Sequence, residues 1–205
     1  MATLARLRKN ALFETVFLVA LALGLALSVQ AYAVKPYRIP SGSMEPTLKI
    51  GQRVLVDRVL YHFRDPHIDD VVVFHPPTGA ENGQACGDPK TGEGTQAPCD
   101  QPTPSESGTN FIKRIVAGPG DRLSIHDGHP VVNGVEATEN FIRPCQGANG
   151  CNMPRQITIP PGHYFMMGDN RGHSDDSRFW GPVPRSWIIG QAFFTYWPPD
   201  RIGLL

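Results

Sequence analysis

The stretch FIKRIVAGPGDRLSIHDGHPVVNGV, Phe111 to Val135, reads as short strands separated by turns. Asp127-Gly128 and Asn133-Gly134 are hairpin dipeptides set between runs rich in β-branched residues. Similar strand signals lie on both sides. GQRVLVDRVLY (Gly51 to Tyr61) alternates apolar and polar residues, and DVVVFH (Asp70 to His75) is a β-branched run. RQITIP (Arg155 to Pro160), HYFMM (His163 to Met167) and WIIGQAFFTYW (Trp187 to Trp197) add three more. No stretch after residue 35 keeps a 3.6-residue apolar period, so the predicted class is a mostly β, antiparallel domain.

Composition agrees. The chain has 205 residues, 40% of them hydrophobic, enough for one core plus a modest extra segment. With 21 Gly and 20 Pro it is too rich in turn formers for a helical bundle, a coiled coil or a helical solenoid. Charged residues are 19% and balance to zero, which removes the electrostatic case for nucleic-acid binding.

That neutrality hides an asymmetry. Residues 1–35 carry Arg6, Arg8, Lys9 and Lys35 against Glu14 alone, a net of +3, which leaves −3 for residues 36–205. From Leu12 to Val34 the only charge is Glu14, and Val16 to Leu27 has no polar side chain. The segment fits a membrane anchor of about 20 apolar residues. It also fits a cleavable secretory signal, since Ala31-Tyr32-Ala33 is a small-x-small site. Under both, the rest of the chain is exported and the basic end stays cytoplasmic.

The four cysteines suit an oxidising compartment. Cys145 and Cys151 bracket a Gly/Asn-rich loop, and Cys86 and Cys99 bracket a Gly/Pro-rich one, so neighbour pairing is expected among three possible connectivities. Zinc is the competing use, but no pair has C-x₂₋₄-C spacing and no His lies at ligand spacing from a Cys. Residues 76–110 hold almost no large apolar side chains and are expected to form a surface loop or insertion.

Three segments remain unexplained by turns and cores: IPSGSMEPTL (Ile39 to Leu48), FIKRIVAGPGD (Phe111 to Asp121) and the unusually polar MGDNRGHSDDSRFWGPVP (Met167 to Pro184). Ser41 and Ser43 sit in a Gly-containing turn, where backbone capping is the ordinary role of a serine. A nucleophilic serine needs a base. G-x-S-x-G is absent, but a Ser–Lys arrangement is open to Lys113. Strand alternation places Lys113 on a face with Phe111 and Ile115. Outward snorkelling is the ordinary fate of such a lysine. Burial would instead depress its pKa. A free lysine is neutral in only about one molecule in 2,500 at pH 7; bringing its pKa to ~7–8 costs roughly 3–5 kcal/mol and yields a usable base.

Taken in order after an apolar segment, PSGSMEPTL, FIKRIVAGPGD and GDNRGHSDDSRFWGPVP resemble the motifs of bacterial type I signal peptidase (leader peptidase), with a closing YWPPDRIG. The resemblance implies a mostly β, antiparallel Ser–Lys serine protease with an N-terminal transmembrane helix, no cofactor and no metal. It would remove signal peptides from exported preproteins after small-x-small sites at the outer face of the inner membrane. By position, Ser43 is the nucleophile and Lys113 the general base. Ser41 matches the oxyanion-stabilising serine and Ser174 the serine that orients the lysine. Asp176 and Arg178 match a supporting charged pair, with Arg114 and Asp169 in a similar part. Gly172-His173 and Asp175 depart from the family's usual residues, and His173 receives no role. The implied organisation is a cytoplasmic N-terminus (1–11), a retained single-pass anchor (12–34) and a periplasmic β-rich domain (35–205) whose partners are preproteins and inner-membrane lipids. Ala31-Tyr32-Ala33 then becomes a self-cleavage candidate. Substrate pockets are expected near Ile39, Met44, Val54 and the Phe111 strand.

Two other classes stay open. A tethered β domain acting as a binding or assembly factor would not need a lysine in an apolar strand. A peptidase dedicated to pilin or conjugation substrates would share the chemistry. Self-cleaving repressors need a DNA-binding module, for which residues 12–34 leave no room.

Overall fold

The computed structural model describes residues 2–82 and 86–205, with the side chains of 2–12 and 29–31 left aside. Helix α1 (Ala2–Tyr32) is followed by β1 (Val34–Arg38), β2 (Arg53–Asp57), β3 (Val71–Phe74) and β4 (Phe111–Ala117). Then come β5 (Arg122–His126), β6 (His129–Val132), β7 (Val135–Glu136), β8 (Met153–Thr158) and β9 (His163–Met167). The one-turn helix α2 (Ser177–Trp180) precedes β10 (Val183–Pro184), β11 (Ile188–Trp197) and β12 (Gly203–Leu204).

The strands build two antiparallel sheets. The larger runs β1-β2-β11-β3-β4-β9-β10, with β12 on β11; the smaller runs β7-β6-β5-β8. The expected hairpins form: Asp127 and Gly128 both take positive φ (46° and 80°), as do Asn133 and Gly134 (53° and 85°), the backbone that such two-residue turns require. Register shifts interrupt β4 against β9 and β11 against β2 and β3, and such bulges bend a sheet.

Three apolar clusters fill the domain. One packs Val72, Phe74, Ile115, Met166 and Trp180. A second joins Val116, Leu123, Ile125, Phe165 and Met167 between the two sheets. The third gathers Ile39, Met44, Leu48, Val54, Val56 and Ile112. Strand β4 feeds all three, so Lys113 enters the interior along with its apolar neighbours.

Several expectations are corrected. The predicted strand at 51–61 is confined to Arg53–Asp57, because Leu60–His62 turns into a 3₁₀ helix. The segment 76–110 is an insertion that packs onto the domain. Ala80 and Ala97 are buried, and the Cys99 N–H donates to the Arg178 carbonyl at 3.0 Å. Residues 83–85 of that insertion lie outside the description. Both neighbour disulfides, Cys86–Cys99 and Cys145–Cys151, are present.

The expected transmembrane helix over 12–34 is not found: among the described residues no helix is long and apolar enough to cross a membrane. Val34 belongs to β1, paired with Asp57, and not to the helix. Between Phe13 and Leu27 the described side chains of α1 are exposed, Phe17, Leu18, Leu21 and Leu25 among them. The expected cytoplasmic segment 1–11 falls within the residues whose side chains are left aside.

Candidate active site

Gly42–Met44 forms a single 3₁₀ turn between β1 and β2, held down because Met44 is wholly buried in the third cluster. This turn presents Ser43 toward β4. Lys113, paired with Val72 in the centre of the large sheet, points its amine back at it. Lys113 Nζ lies 2.7 Å from Ser43 Oγ, and the two residues are only 4% and 8% exposed. Burial pulls Lys113 down to about 8, with Asp176 and Asp175 opposing that fall and Arg178 adding to it. At that value about one lysine in ten is neutral at pH 7, roughly two hundred times the free fraction. Ser41 Oγ is 3.4 Å from Ser43 Oγ, on the groove side of the same turn.

The segment after β9 cradles this pair. The Asn170 N–H donates to the Ser43 carbonyl and Asn170 Nδ2 to the Gly42 carbonyl, each at 3.0 Å. Gly168 makes the approach possible, since a Cβ there would overlap both Ser174 Oγ and the Ser43 carbonyl. Ser174 is buried beside it, but its hydroxyl has no hydrogen-bond partner among the described residues, so the expected bond to Lys113 is not formed in this structure.

Behind the cradle lie paired charges. Asp176 caps α2 and is fully buried. Arg178 Nε and a terminal NH₂ donate to its two oxygens at 2.8 and 2.9 Å, and the Gly168 N–H donates at 3.0 Å. Burial alone would raise the Asp176 carboxyl; Arg178 and these donors outweigh it and hold it below the ordinary carboxylate range. Arg114 meets Asp169 in a two-pronged pair at 2.9 and 2.7 Å. The four residues expected to support the site therefore form two ion pairs behind the cradle.

A third pair gave no signal in the sequence. Arg171, buried, donates to both Glu139 oxygens at 2.7 and 2.6 Å and through Nε to the Gly168 carbonyl at 3.0 Å. Gly168 and Asn170 stood inside a quoted motif without a role; only the close packing reveals theirs.

A groove of about 450 Å³ opens onto the dyad, lined by Tyr37–Ser43 from the β1 side and Asn110–Lys113 from the β4 side. Ile39 and Phe111 line it as expected. Met44 and Val54 do not: both are fully enclosed in the core beneath. Asp175 and the exposed His173 complete the wall.

A hydroxyl and a partly neutral amine in contact, at the floor of an open groove, can form and break an acyl bond. The comparisons with known proteins point the same way. Residues 12–197 match the family model described as signal peptidase, peptidase S26. A probable signal peptidase I-1 of Synechocystis sp. is 36% identical, covering 94% of this chain and 86% of the relative. The signal peptidase I of Leptolyngbya laminosa is 33% identical (95% and 84%). That of Pseudomonas aeruginosa is also 33% identical (88% and 72%). The chain belongs to the signal peptidase family, peptidase S26, and is a peptidase.

Proposed function

We propose that this peptidase removes signal peptides from exported preproteins with Ser43 as nucleophile and Lys113 as general base. The observation that carries this is the 2.7 Å contact between a buried lysine amine and the serine hydroxyl. A binding module gains nothing from a lysine kept in the interior against its desolvation cost.

The steps follow from the positions. Neutral Lys113 takes the Ser43 proton as Oγ attacks the scissile carbonyl carbon. Charge collects on the carbonyl oxygen, where the Ser41 hydroxyl and the Ser43 backbone N–H are the donors at hand; each such donor is worth about 3 kcal/mol in the transition state. The Lys113 ammonium then gives its proton to the leaving amine. A water, deprotonated by the amine that results, releases the acyl group from Ser43.

An extended peptide laid between the β1 and β4 walls would add a strand, and alternate side chains would point to one wall. Ile39, Val73 and Ile112 supply an apolar lining there, which suits Ala at two alternating positions. The same reading takes the exposed apolar residues of α1, Phe13 to Leu27, as the part of the chain that associates with the membrane. Tethering enzyme and precursor to one surface raises their effective concentration.

The test uses the detergent-solubilised full chain and a precursor with an Ala-x-Ala site. Mass spectrometry of the products is expected to show a single cut after the second Ala. Cutting elsewhere in the precursor, or none across several precursors, would contradict the assignment.

A further inference from the structure

The carboxylates near Lys113 are not equivalent. Asp176 is neutralised by Arg178, and Asp169 by Arg114. Asp175, which follows Ser174 and shares the groove wall with Lys113 and Ser43, has no ion pair among the described residues, and its Oδ1 is enclosed without a hydrogen-bond donor from them. The other charged groups facing it are Asp176, Arg178 and Glu93 of the insertion, while Arg38 and His173 line the groove as exposed side chains. Once the two closed pairs are set aside, Lys113 is the buried cation that faces Asp175 in the groove, and Arg38 is an exposed one.

We propose that Asp175 is a positioning residue of the dyad, whose carboxylate holds the Lys113 ammonium across the shared groove and so sets the pH at which the amine becomes available. This rests on the Ser43–Lys113 reading of the site. Loss of the lysine proton leaves Asp175 facing Asp176 and Glu93 with no buried cation except Arg178, which Asp176 already holds, so the charged state of the lysine is favoured. The carboxyl reports the same tension: burial pushes Asp175 up to about 6, Asp176 adds to the rise, and Lys113 opposes it. Each charge favours the ionised form of the other. A peptide filling the groove would exclude water from both and strengthen the coupling. Asp175 touches neither the scissile bond nor the nucleophile in this scheme; it acts through the lysine.

The sign is definite. A neighbouring negative charge raises a lysine pKa, so removing it makes the amine available at lower pH. The experiment is the pH profile of kcat/KM for the full chain in detergent, comparing the parent with Asp175→Asn, Asp175→Ala and Asp175→Glu. Each profile is normalised to its own high-pH plateau. Asn and Ala are expected to move the midpoint of the acid limb down by about one pH unit, a several-fold gain in normalised activity at pH 7. Glu is expected to restore the parent midpoint. If both neutral variants keep the parent midpoint, or if Glu moves it as far as Asn does, Asp175 has no such role while the dyad stands. A parent profile with no limb near 8, or a Lys113→Ala variant that keeps its activity, would overturn the dyad and Asp175 with it.

Discussion

Ser43→Ala and Lys113→Ala are each expected to reduce precursor cleavage by a factor of a thousand or more, and the double variant by little beyond either single one. The two side chains act as one unit: an alanine at 43 leaves no nucleophile, and an alanine at 113 leaves a hydroxyl with no base in contact. Residues that work together in this way show strongly non-additive losses. Lys113→Arg is expected to be as inactive as Lys113→Ala, because a guanidinium does not give up its proton in the physiological range. Single-turnover cleavage of an Ala-x-Ala precursor measures all four. A Lys113→Ala enzyme within tenfold of the parent would place the base elsewhere.

The second large effect is on stability. Arg178→Ala is expected to lower the unfolding free energy by about 3–5 kcal/mol, since it strands the fully buried Asp176 carboxylate. It also removes the donors that reach the Arg171 carbonyl at 2.8 Å and the Ser174 carbonyl at 3.2 Å. For a chain of this size the midpoint of thermal unfolding should fall by roughly 10 °C. Replacing both partners, Asp176→Leu with Arg178→Met, should cost less than the single change, because no uncompensated charge is left inside. A calorimetric scan of the parent and the two variants decides it. An Arg178→Ala melt within a degree or two of the parent would show that the pair contributes little.

How much was legible follows from the kind of signal each residue carries. The dinucleotides Asp127-Gly128 and Asn133-Gly134 announce their turns because few residues tolerate positive φ, and both hairpins form. The β-branched runs announce strands, and Lys113 stood out as a cation inside one. Local pattern does not say which way a curled sheet will face, however. Met44 and Val54 were expected at the groove and instead lie in the core, since the turn carrying Ser43 is pinned from below. Glu139 carried no local signal, being 32 residues from the Arg171 it neutralises. The role of Gly168 is a matter of space between Ser174 and Ser43, which exists only after folding. The insertion at 76–110 read as a surface segment because it lacks large apolar residues; its own disulfide braces it, and backbone hydrogen bonds from Cys99 to Arg178 and from Arg155 to Gln96 join it to the domain.

Titration of the Lys113 amine, followed by ¹⁵N or ¹³C NMR of isotopically labelled lysine and assigned with Lys113→Ala, tests the catalytic claim most directly when set beside the pH dependence of kcat/KM. Burial holds the amine at about 8, so activity should rise with pH as the ammonium is lost, and the two midpoints should coincide there. A Lys113 amine that titrates at its ordinary value near 10.5 while cleavage rises near 8 would show that some other group supplies the base.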